Sequence, residues 1–476
     1  MKSITWKSSL VATCFIFPTF SLSLHGRADP LGLISERGVT VNDPLVRSNS
    51  DGSDSGAPTE AGGSSKYVFA HFIVGNTYPY GVGDWIMDMQ LARKAGIDGF
   101  ALNVGADYWQ ASKIADAFNA SLSIAPIFKL FFSFDMTSLP CSGSGDADAL
   151  HSYISEYHNH PAQLVDDSNR MVISTFGGEY CTFGQGSLNA GWEYAVKQGM
   201  PSTAFIPAFF GSPDNFQNYP VMDGDFYWDG GWPLDDSSIS FNRDQAQING
   251  VGKLGPGKVY MAPVSPWFFT HYGPDSYNKN FIYKSDNHLY ASRWEILVQQ
   301  RDKIAIAQII TWNDYGESHY IGRIAGAQPD SQAWTDGFDH TGWLEATRYY
   351  IEAFKTGVYP VIREDRVILS ARPHARDADA NDHVERPTNW QWTDDYLWAL
   401  VFATAPGVIT LSSGSNSQSY NVVGGVSKLQ LAQGEGGVGA AMSRNGENVY
   451  SFSPTGFSFT LHPSSYNFNA YVAAGP

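Results

Sequence analysis

Short apolar runs alternate with stretches of helical spacing eight times between residues 66 and 355, and this alternation constrains the fold most strongly. The apolar runs have the length of buried strands, and the stretches between them repeat apolar side chains every three to four residues. Eight such units over roughly 290 residues are typical of a (β/α)8 TIM-type barrel, an α/β fold with a parallel sheet. The predicted strands are Tyr67–Val74, Gly99–Val104, Lys129–Phe134, Met171–Phe176, Ala204–Phe209, Gly224–Trp228, Val259–Val264 and Ile304–Thr311.

The pattern changes after Arg366, where helical spacing gives way to short strand-like runs separated by Gly, Ser and Asn. Asn445-Gly446 is a strong signal for a tight hairpin turn. Such runs over roughly 110 residues predict an antiparallel β-sandwich, and Gly456–Leu461 is the last predicted strand. The sequence therefore predicts a barrel domain over residues 66–365 and a β-sandwich domain over residues 366–476.

The first 65 residues have the composition of a signal and a linker rather than of a folded domain. Lys2 and Lys7 precede the uncharged segment Ser8–Leu24, and small residues near position 28 offer a cleavage site. Residues 1–28 are therefore predicted to be a secretory signal peptide. Residues 29–65 are rich in Gly and Ser and are predicted to form a disordered leader or linker. The mature protein is expected to be secreted.

Acidic residues outnumber basic ones by 47 to 30, which gives a formal net charge of −17. A surface this negative argues against nucleic acids and anionic membranes as partners. No stretch after the predicted signal is apolar for long enough to span a bilayer, so no membrane insertion is expected. Aromatic residues make up 14% of the chain, which fits either stacking on sugars or a large core. A monomer is expected.

Cys141 and Cys181 are the two cysteines that remain once Cys14, within the predicted signal, is set aside. An even pair in an oxidising compartment predicts a disulfide, and two unpaired thiols are the alternative. The two cysteines follow the third and fourth predicted strands, so a bond would stiffen one face of the barrel. Asn119 begins the single Asn-x-Ser/Thr sequon and is the candidate for N-glycosylation.

Reactive side chains in barrels of this type come from the C-terminal ends of the strands. At those ends the sequence places mainly acids and aromatics, a mixture that suits cleavage of glycosidic bonds. That reaction needs one protonated carboxyl to donate to the leaving oxygen and a second carboxylate on the other side. The candidates are Asn103, Asp135, Glu179, Asp229, Trp267 and the segment Trp312–His319.

The segment after the eighth predicted strand is the most distinctive of these candidates. Asp314 and Glu317 are three residues apart, so a helical turn points both carboxyls the same way. Two like charges at this distance raise one pKa, and burial against an aromatic ring raises that pKa further. A general acid requires a raised carboxyl pKa, so the pair is predicted to be catalytic. The alternative is that Asp314 caps a turn and Glu317 is a solvated surface acid.

The other candidates have structural alternatives that the sequence leaves open. Asp135 could bind a substrate hydroxyl or pin a loop, and Glu179, which follows two glycines, could bind a ligand or lie in a turn. The segment Phe226–Trp232 offers rings for sugar faces, or it packs at the rim. His71 and His319 are expected to be hydrogen-bonded structural groups rather than proton carriers.

Motifs of other catalytic classes are missing from the sequence. There is no His-Glu-x-x-His, Cys-x-x-Cys or EF-hand loop, which disfavours a metal site. There is no Gly-x-Ser-x-Gly, no P-loop and no Gly-x-Gly-x-x-Gly opening a helix, which disfavours α/β-hydrolases and nucleotide-binding folds. We therefore expect no metal and no cofactor.

Four runs of sequence resemble glycoside hydrolase family 71, the fungal α-1,3-glucanases or mutanases. They are Tyr67–Phe72, Ala95–Asn103, Phe226–Trp228 and Ile310–Ser318. The run Trp-Asn-Asp-Tyr-Gly-Glu-Ser is fairly specific, whereas Gly-Ile-Asp-Gly-Phe is shared with the endo-α-mannosidases of family 99. The resemblance covers residues 66–476, including the C-terminal part.

The resemblance implies a barrel joined to a β-sandwich and an enzyme, extracellular or in the cell wall, that cleaves α-1,3-glucan internally with inversion. It implies Asp314 and Glu317 as the catalytic acids, and no cofactor. By analogy with family 99, Glu317 is expected to protonate the glycosidic oxygen while Asp314 activates a water. Inversion needs room for that water, roughly 6.5–9.5 Å between the carboxyls.

The residues expected to bind the glucan are polar and aromatic groups near the strand ends: Asn103, Asp135, Glu179, Tyr227, Trp228, Asp229, Trp267, Trp312, Asn313 and His319. Two other functions fit the same sequence. One is hydrolysis of another α-linked glycan such as mannan, and the other is binding of wall glucan without turnover.

Overall fold

Eighteen strands and eight α-helices form the regular structure of residues 66–476, the part of the chain that the computed structural model describes. The predicted signal peptide and leader lie outside the described residues. The strands are β1 Tyr67–Ile73, β2 Gly99–Val104, β3 Lys129–Asp135, β4 Met171–Phe176, β5 Thr203–Phe205, β6 Gly224–Phe226, β7 Val259–Val264, β8 Phe269–His271, β9 Asn280–Ile282, β10 Ile306–Ile309, β11 Arg366–Ala371, β12 Tyr396–Ala403, β13 Gly407–Ser413, β14 Asn416–Val422, β15 Gly425–Ala432, β16 Val438–Arg444, β17 Glu447–Phe452 and β18 Tyr471–Gly475. The helices are α1 Val82–Lys94, α2 Gln110–Ser121, α3 Asp148–Tyr157, α4 Leu188–Val196, α5 Asn242–Gly252, α6 Leu289–Gln299, α7 Gln332–Thr335 and α8 Trp343–Thr356.

Eight parallel strands form the central sheet, in the order β5-β4-β3-β2-β1-β10-β7-β6. The two edge strands also meet. The N–H groups of Asp223 and Phe226 donate to the carbonyl oxygens of Phe205 and Pro207 at 2.6 and 2.9 Å. The sheet is therefore a nearly closed barrel, which confirms the predicted fold class. Its mouth is the face at the C-terminal ends of these strands.

Alternation along the strands produces two separate cores. Inward side chains such as Phe69, Phe131, Phe226 and Met261 fill the barrel, whereas Phe72 and other outward side chains pack against the helices. The rings of Phe69 and Phe131 meet edge to face with centres 5.1 Å apart. Burial of one such side chain contributes about 1.5–3 kcal/mol to stability. The packed interior gives the loops at the mouth a rigid base.

Two antiparallel four-stranded sheets follow the barrel, in the orders β15-β12-β11-β18 and β14-β13-β16-β17. Their facing apolar side chains form a core of their own. The predicted strand Gly456–Leu461 is wrong, since only isolated bridges occur there, at Phe459 and Thr460. The edge of the first sheet is occupied instead by β18, which pairs with β11. β11 begins at Arg366, and the exact domain boundary stays a prediction.

A β-hairpin that sequence analysis did not predict lies between β7 and α6. We call residues 269–282 the site hairpin, because it reaches the loop after β10. Its strands β8 and β9 have three residues each, with Phe269 opposite Ile282. The Ile282 N–H donates to the Thr388 carbonyl at 3.0 Å, and the Thr388 N–H donates to the Asn280 carbonyl at 3.1 Å. Residues of the C-terminal part therefore hold the hairpin.

Buried polar contacts also join the barrel to the C-terminal sheets. Arg372 forms an ion pair with Asp286, and both side chains are at most 1% exposed. His340 bridges the two parts, because its ring nitrogens lie 2.9 Å from the Tyr320 carbonyl and 2.8 Å from the Ala470 carbonyl. Among the helices of residues 66–476, none has the length and apolar character needed to cross a membrane.

Candidate active site

The loop that follows β10 carries the two predicted catalytic acids. The side chains of Asp314 and Glu317 are 22% and 20% exposed, so both carboxyls are partly buried yet accessible. The Asp314 N–H donates to Thr311 Oγ1 at 2.9 Å, and the Glu317 N–H donates to the Asp314 carboxylate at 3.2 Å. This turn gathers the two carboxyls instead of directing them into bulk solvent.

The two carboxyls lie close together. One oxygen of each, and one ring nitrogen of His319, all lie within 4.8 Å of one another. Inverting glycosidases separate their carboxyl groups by roughly 6.5–9.5 Å and retaining ones by roughly 5–5.5 Å. The predicted inverting course stays a prediction.

His319 lies beneath the pair and has no exposed surface. Its Nδ1 lies 3.1 Å from Thr311 Oγ1, which also accepts the Asp314 N–H. Its Nε2 lies 3.0 Å from Glu317 Oε2, and because an ionised carboxylate can only accept, Nε2 is the donor. The three side chains have the spacing of a metal site, but acidic side chains commonly lie this close without a metal.

The surrounding charges shift the two pKa values in opposite directions. Burial raises the pKa of Asp314 to about 6, and the negative charge of Glu317 adds to this effect. Burial would also raise the pKa of Glu317, but the Lys279 ammonium and the His319 hydrogen bond outweigh it and lower that pKa to about 2. At mildly acidic pH the proton is therefore on Asp314. These directions favour Asp314 as the proton donor, whereas the family resemblance favours Glu317, and the order of the two roles stays a prediction.

Lys279 is a charged residue of the site that sequence analysis missed. It lies in the site hairpin, and its Nζ is 3.2 Å from Glu317 Oε1. Its charge also acts on Asp314 and Asp135. No motif marks this lysine, and strands of three residues are too short to show alternation.

Asp135, Asn103 and Trp228 lie at or near the mouth. Asp135 ends β3, and its carboxylate accepts the N–H and the hydroxyl of Thr137 at 3.0 and 2.6 Å. It therefore pins a loop, and burial raises its pKa while the nearby Lys279 charge opposes that rise. Asn103 and Trp228 are 6% and 7% exposed. They belong to the floor of the mouth.

Glu179 lies in a glycine turn after β4. Its carboxylate accepts the Phe210 N–H at 3.4 Å. Gly177 and Gly178 have φ values of +70° and +109°, and a Cβ on Gly178 would lie 2.7 Å from the Trp192 ring. The two glycines are required by the turn and its packing, while the half-buried Glu179 carboxylate remains at the mouth.

Asp229 and Tyr227 follow β6 and are half-buried. Burial raises the pKa of Asp229 to about 6, although the Arg243 charge opposes it. Burial, together with the Asp229 charge, raises the pKa of Tyr227 to about 12. Tyr283 lies within electrostatic reach of both Asp229 and Glu317. Asp229 is therefore a second carboxyl with a raised pKa at the mouth of the barrel.

The position of Trp267 corrects the prediction that it binds glucan. Its side chain is buried at the junction with the C-terminal sheets, where its indole N–H donates to the Phe468 carbonyl at 2.9 Å. The Arg372 guanidinium lies 4.3 Å from the centre of its ring. Both faces of the ring and its polar atom are therefore used inside the protein.

Trp312 and Asn313 are also buried and do not face the mouth. The Trp312 ring lies 5.2 Å from that of Phe100, in the core between the barrel and its helices. Asn313 Oδ1 accepts the Ile73 N–H at 2.7 Å, and Asn313 Nδ2 donates to the Ile73 carbonyl at 3.0 Å. The prediction of a substrate contact is corrected for both residues, because they fasten the loop to β1.

The remaining predicted residues have defined positions. His71 is hydrogen-bonded inside the barrel to Gln308 at 3.0 Å, and burial, with the His319 charge, lowers its pKa to about 3.

Cys141 and Cys181 form a disulfide with Cα atoms 5.1 Å apart, which links the loops after β3 and β4. Asn119 is exposed near the end of α2, and its glycosylation stays a prediction.

Exposed aromatic side chains are concentrated at the mouth of the barrel. Seven are exposed among residues 66–476, and five of these lie in loops after β1, β2, β4, β5 and β7. We call these five the rim aromatics: Tyr78, Tyr108, Tyr180, Phe210 and Tyr277. Exposed aromatic rings at the mouth are candidates for stacking against a sugar chain. Sequence analysis missed them because loop residues carry no periodic pattern.

Comparison with known proteins gives consistent matches. The profile of glycosyl hydrolase family 71 matches residues 64–476. The glucan endo-1,3-alpha-glucosidase of Schizosaccharomyces pombe is 40% identical over 418 residues, which are 86% of this chain and 94% of that protein. A mutanase of Penicillium rubens is 33% identical over 86% of this chain and 88% of its own. The ascus wall endo-1,3-alpha-glucanase of S. pombe is 32% identical over 77% and 86%.

Among solved structures, the family 99 endo-alpha-mannosidase of Bacteroides thetaiotaomicron aligns with a TM-score of 0.48 and 11% identity. The alignment covers 62% of this chain and 99% of that one. The family profile spans every residue that the structure describes, and two acids lie where such a barrel places its chemistry. The chain belongs to glycosyl hydrolase family 71 and is a glycoside hydrolase.

Proposed function

We propose that this protein is an endo-acting α-1,3-glucan hydrolase that works outside the cell or in its wall. One observation carries the chemistry: two carboxyls with opposite pKa shifts share one turn at the mouth of the barrel. Relatives named as an endo-1,3-alpha-glucosidase and a mutanase support the linkage. A relative named for the ascus wall supports the location.

Asp314 is proposed as the general acid and Glu317 as the base. Burial and the Glu317 charge keep a proton on Asp314 up to a pH of about 6, and a general acid must be protonated before it donates to the glycosidic oxygen. Lys279 and His319 keep Glu317 ionised, as a base that takes a proton from water must be. This order reverses the one that the family resemblance favours.

The stereochemical course at the anomeric carbon, inversion or retention, is a separate part of the proposal. The resemblance implies inversion, and one oxygen of each carboxyl lies within 4.8 Å of the other. Proton NMR of the first product formed from an α-1,3-glucan distinguishes the two courses. A β-anomer indicates inversion, and an α-anomer indicates retention with Glu317 as nucleophile.

The rim aromatics support action within a long chain. They lie in the loops after five different strands, so they are spread over the mouth rather than confined to one loop. A polysaccharide that crosses the mouth would contact several rings at once. Endo action predicts that products of several lengths accumulate early, before any monosaccharide.

The experiment that tests the proposal measures release of reducing ends from insoluble α-1,3-glucan, with α-1,4-glucan and α-mannan in parallel. Release from α-1,3-glucan alone is expected. Release from mannan instead would indicate the alternative hydrolase. Binding to α-1,3-glucan without any product would indicate a wall-binding protein. Asp314→Asn and Glu317→Gln are the inactive controls, because each keeps the shape of its side chain.

Export and processing belong to the same proposal. Removal of residues 1–28 and a glycan on Asn119 predict two mass differences between the secreted protein and the encoded chain. Intact-mass spectrometry before and after enzymatic deglycosylation measures both. Light scattering after size exclusion tests the expected monomer.

A further inference from the structure

We propose that Lys279 is a positioning residue that fixes the charge and orientation of Glu317, and that residues 382–388, between β11 and β12, act on the active site through it. The inference rests on the proposed function, since it concerns the same carboxyl pair. Lys279 needs no contact with the sugar for this role.

The site hairpin contacts Glu317 at two points. The Phe269 N–H donates to the Glu317 carbonyl at 3.1 Å, and Lys279 Nζ donates to Glu317 Oε1 at 3.2 Å. His319 donates to the other carboxylate oxygen at 3.0 Å. Because each oxygen has its own donor, both the position and the plane of the carboxylate are set.

Close packing fixes the hairpin against the catalytic loop. The Tyr272 N–H donates to the Lys279 carbonyl at 2.7 Å, and the Tyr272 hydroxyl donates to the Pro329 carbonyl at 2.8 Å. Gly316 directly precedes Glu317, and a Cβ there would lie 2.3 Å from the Tyr272 hydroxyl oxygen. A larger residue at position 316 would therefore force the Tyr272 side chain, which packs against the catalytic loop, to shift.

Residues of the C-terminal part hold the other side of the hairpin. His271 Nε2 lies 3.2 Å from Asp382 Oδ2, and His271 Nδ1 lies 2.8 Å from Asn280 Oδ1. Asn280 Nδ2 donates to the Glu385 carbonyl at 2.7 Å. Lys279 directly precedes Asn280, so these bonds fix the backbone from which its side chain extends. The chain of contacts runs from residues 382–388 through Lys279 to the carboxylate.

Several charged and titratable groups act on this part of the site from the elements packed around it. They are Asp314 and His319 from the loop of Glu317, Lys279 and Tyr272 from the site hairpin, Tyr283 after β9, Asp135 from β3 and His71 from β1. The Lys279 side chain is 54% exposed, so solvent and salt screen its charge. Its effect on Glu317 is therefore expected to decrease at high ionic strength.

The first test compares Lys279→Met, Lys279→Arg and Lys284→Met in the full chain. Lys284 is the matched control, because it follows β9 and pairs with Asp236 at 2.5 Å. Lys279→Met is expected to raise the pH midpoint of the limb assigned to Glu317 by about one unit. It should therefore lower kcat/KM by up to about tenfold on the acid side of that limb and change it little at pH 5, where Glu317 stays ionised. Lys279→Arg restores the charge and should stay within about threefold of the wild type.

The second test does not depend on activity. The Glu317 pKa is lowered in the folded protein to about 2, so its contribution to stability is present above the unfolded value of ~4.3 and is lost as the pH falls toward 2. Lys279→Met removes part of that contribution. Its Tm should therefore lie below that of the wild type at pH 6, and the difference should shrink toward pH 2. Lys284→Met should show no such trend in the same pH range.

The two tests separate this inference from the proposed function. If the wild type releases nothing from α-1,3-glucan, the proposed function fails, yet the Tm comparison still decides the role of Lys279. If Lys279→Met leaves both the pH profile and the pH dependence of Tm unchanged, the positioning role is overturned. A loss of activity that Lys279→Arg does not rescue, with an unchanged profile, would also overturn it.

Discussion

The protein contains two groupings of acids and cations that use charge in opposite ways. In the first, Asp244 of α5 receives two hydrogen bonds from the Arg293 guanidinium of α6, at 2.8 and 2.6 Å. The Tyr260 hydroxyl donates a third at 2.7 Å. Both charged side chains are at most 1% exposed. One acid therefore pairs with one cation, and the Asp244 carboxylate accepts all of these hydrogen bonds inside the protein.

In the second grouping, at the mouth of the barrel, two acids share Lys279 and His319 and are about one-fifth exposed. The charges do not balance, so one carboxyl keeps a proton and the other does not. A sealed pair contributes to the integrity of the fold, and removing one partner leaves a buried charge. An incompletely paired site keeps carboxyl oxygens available for a substrate. Shifted pKa values at such a site can serve catalysis.

The largest expected effect is the loss of either catalytic carboxyl. Glu317→Gln and Asp314→Asn should each lower kcat by ~10²–10⁴-fold, the typical worth of general acid–base help. Both side chains are partly exposed, so both variants should fold. At pH 6 the Tm should be lower for Glu317→Gln and slightly higher for Asp314→Asn, because the two pKa values are shifted in opposite directions. Initial-rate kinetics and thermal unfolding of the same preparations measure the two quantities. Near-full turnover in either folded variant would remove that residue from the mechanism.

Breaking the buried pair of Asp244 and Arg293 should lower stability but leave kcat nearly unchanged. Arg293→Met leaves the Asp244 carboxylate buried without its cation and should cost about 3–5 kcal/mol of unfolding free energy. The kcat per folded molecule should stay close to that of the wild type. Urea unfolding followed by fluorescence, with active-site titration of the folded fraction, makes the comparison. A fall in kcat without a loss of stability would contradict the prediction that Asp244 and Arg293 serve stability rather than catalysis.

The pH dependence sharpens the comparison further. Asp314 has a raised pKa of about 6, so kcat/KM should fall about tenfold per pH unit above that value as its proton is lost. The same shift affects stability, since a carboxyl with a raised pKa stabilises the fold less as the pH rises from ~3.9 toward 6. Asp314→Asn should remove that part of the slope. A pH–Tm profile that is identical in the variant would contradict the assignment.

The smallest expected effect concerns the rim aromatics. Tyr108 is 93% exposed, and Tyr108→Ala should raise KM for insoluble α-1,3-glucan about two- to tenfold while kcat on short oligosaccharides is unchanged. Tyr67→Ala is the control, because Tyr67 begins β1 at the opposite end of the barrel. Equal effects of the two variants would show that the rim does not bind the chain.

The barrel could be predicted from sequence because its strands are buried on both faces. Runs such as Gly99–Val104 and Met171–Phe176 are mostly apolar and have the same bounds in the structure. The strands β5 and β6 have only three residues each, so their predicted ends were too late. The hairpin strands β8 and β9 were missed for the same reason. At Gly456–Leu461 the alternation is real, but Phe457 and Phe459 fill a core without forming a ladder.

The carboxyl pair could also be found from sequence, whereas its surroundings could not. Asp314 and Glu317 follow a recognisable strand, and their spacing in a turn fixes their shared direction. Trp312 and Asn313 belong to the same run but point into the protein, because the chain turns after β10 and strand alternation no longer applies. Lys279 and the rim aromatics come from loops whose positions depend on tertiary contacts. Sequence reveals which residues can do chemistry more readily than which residues position them.

The hydrogen bonds between residues 382–388 and the site hairpin restrict how this protein can be engineered. Protein engineers often exchange the accessory module of a polysaccharide-degrading enzyme as though it were an independent attachment. Here a graft at position 366 would remove the acceptors of Asn280 and Trp267 together. Any chimera must therefore transplant residues 66–476 as a single piece, or rebuild those contacts one by one.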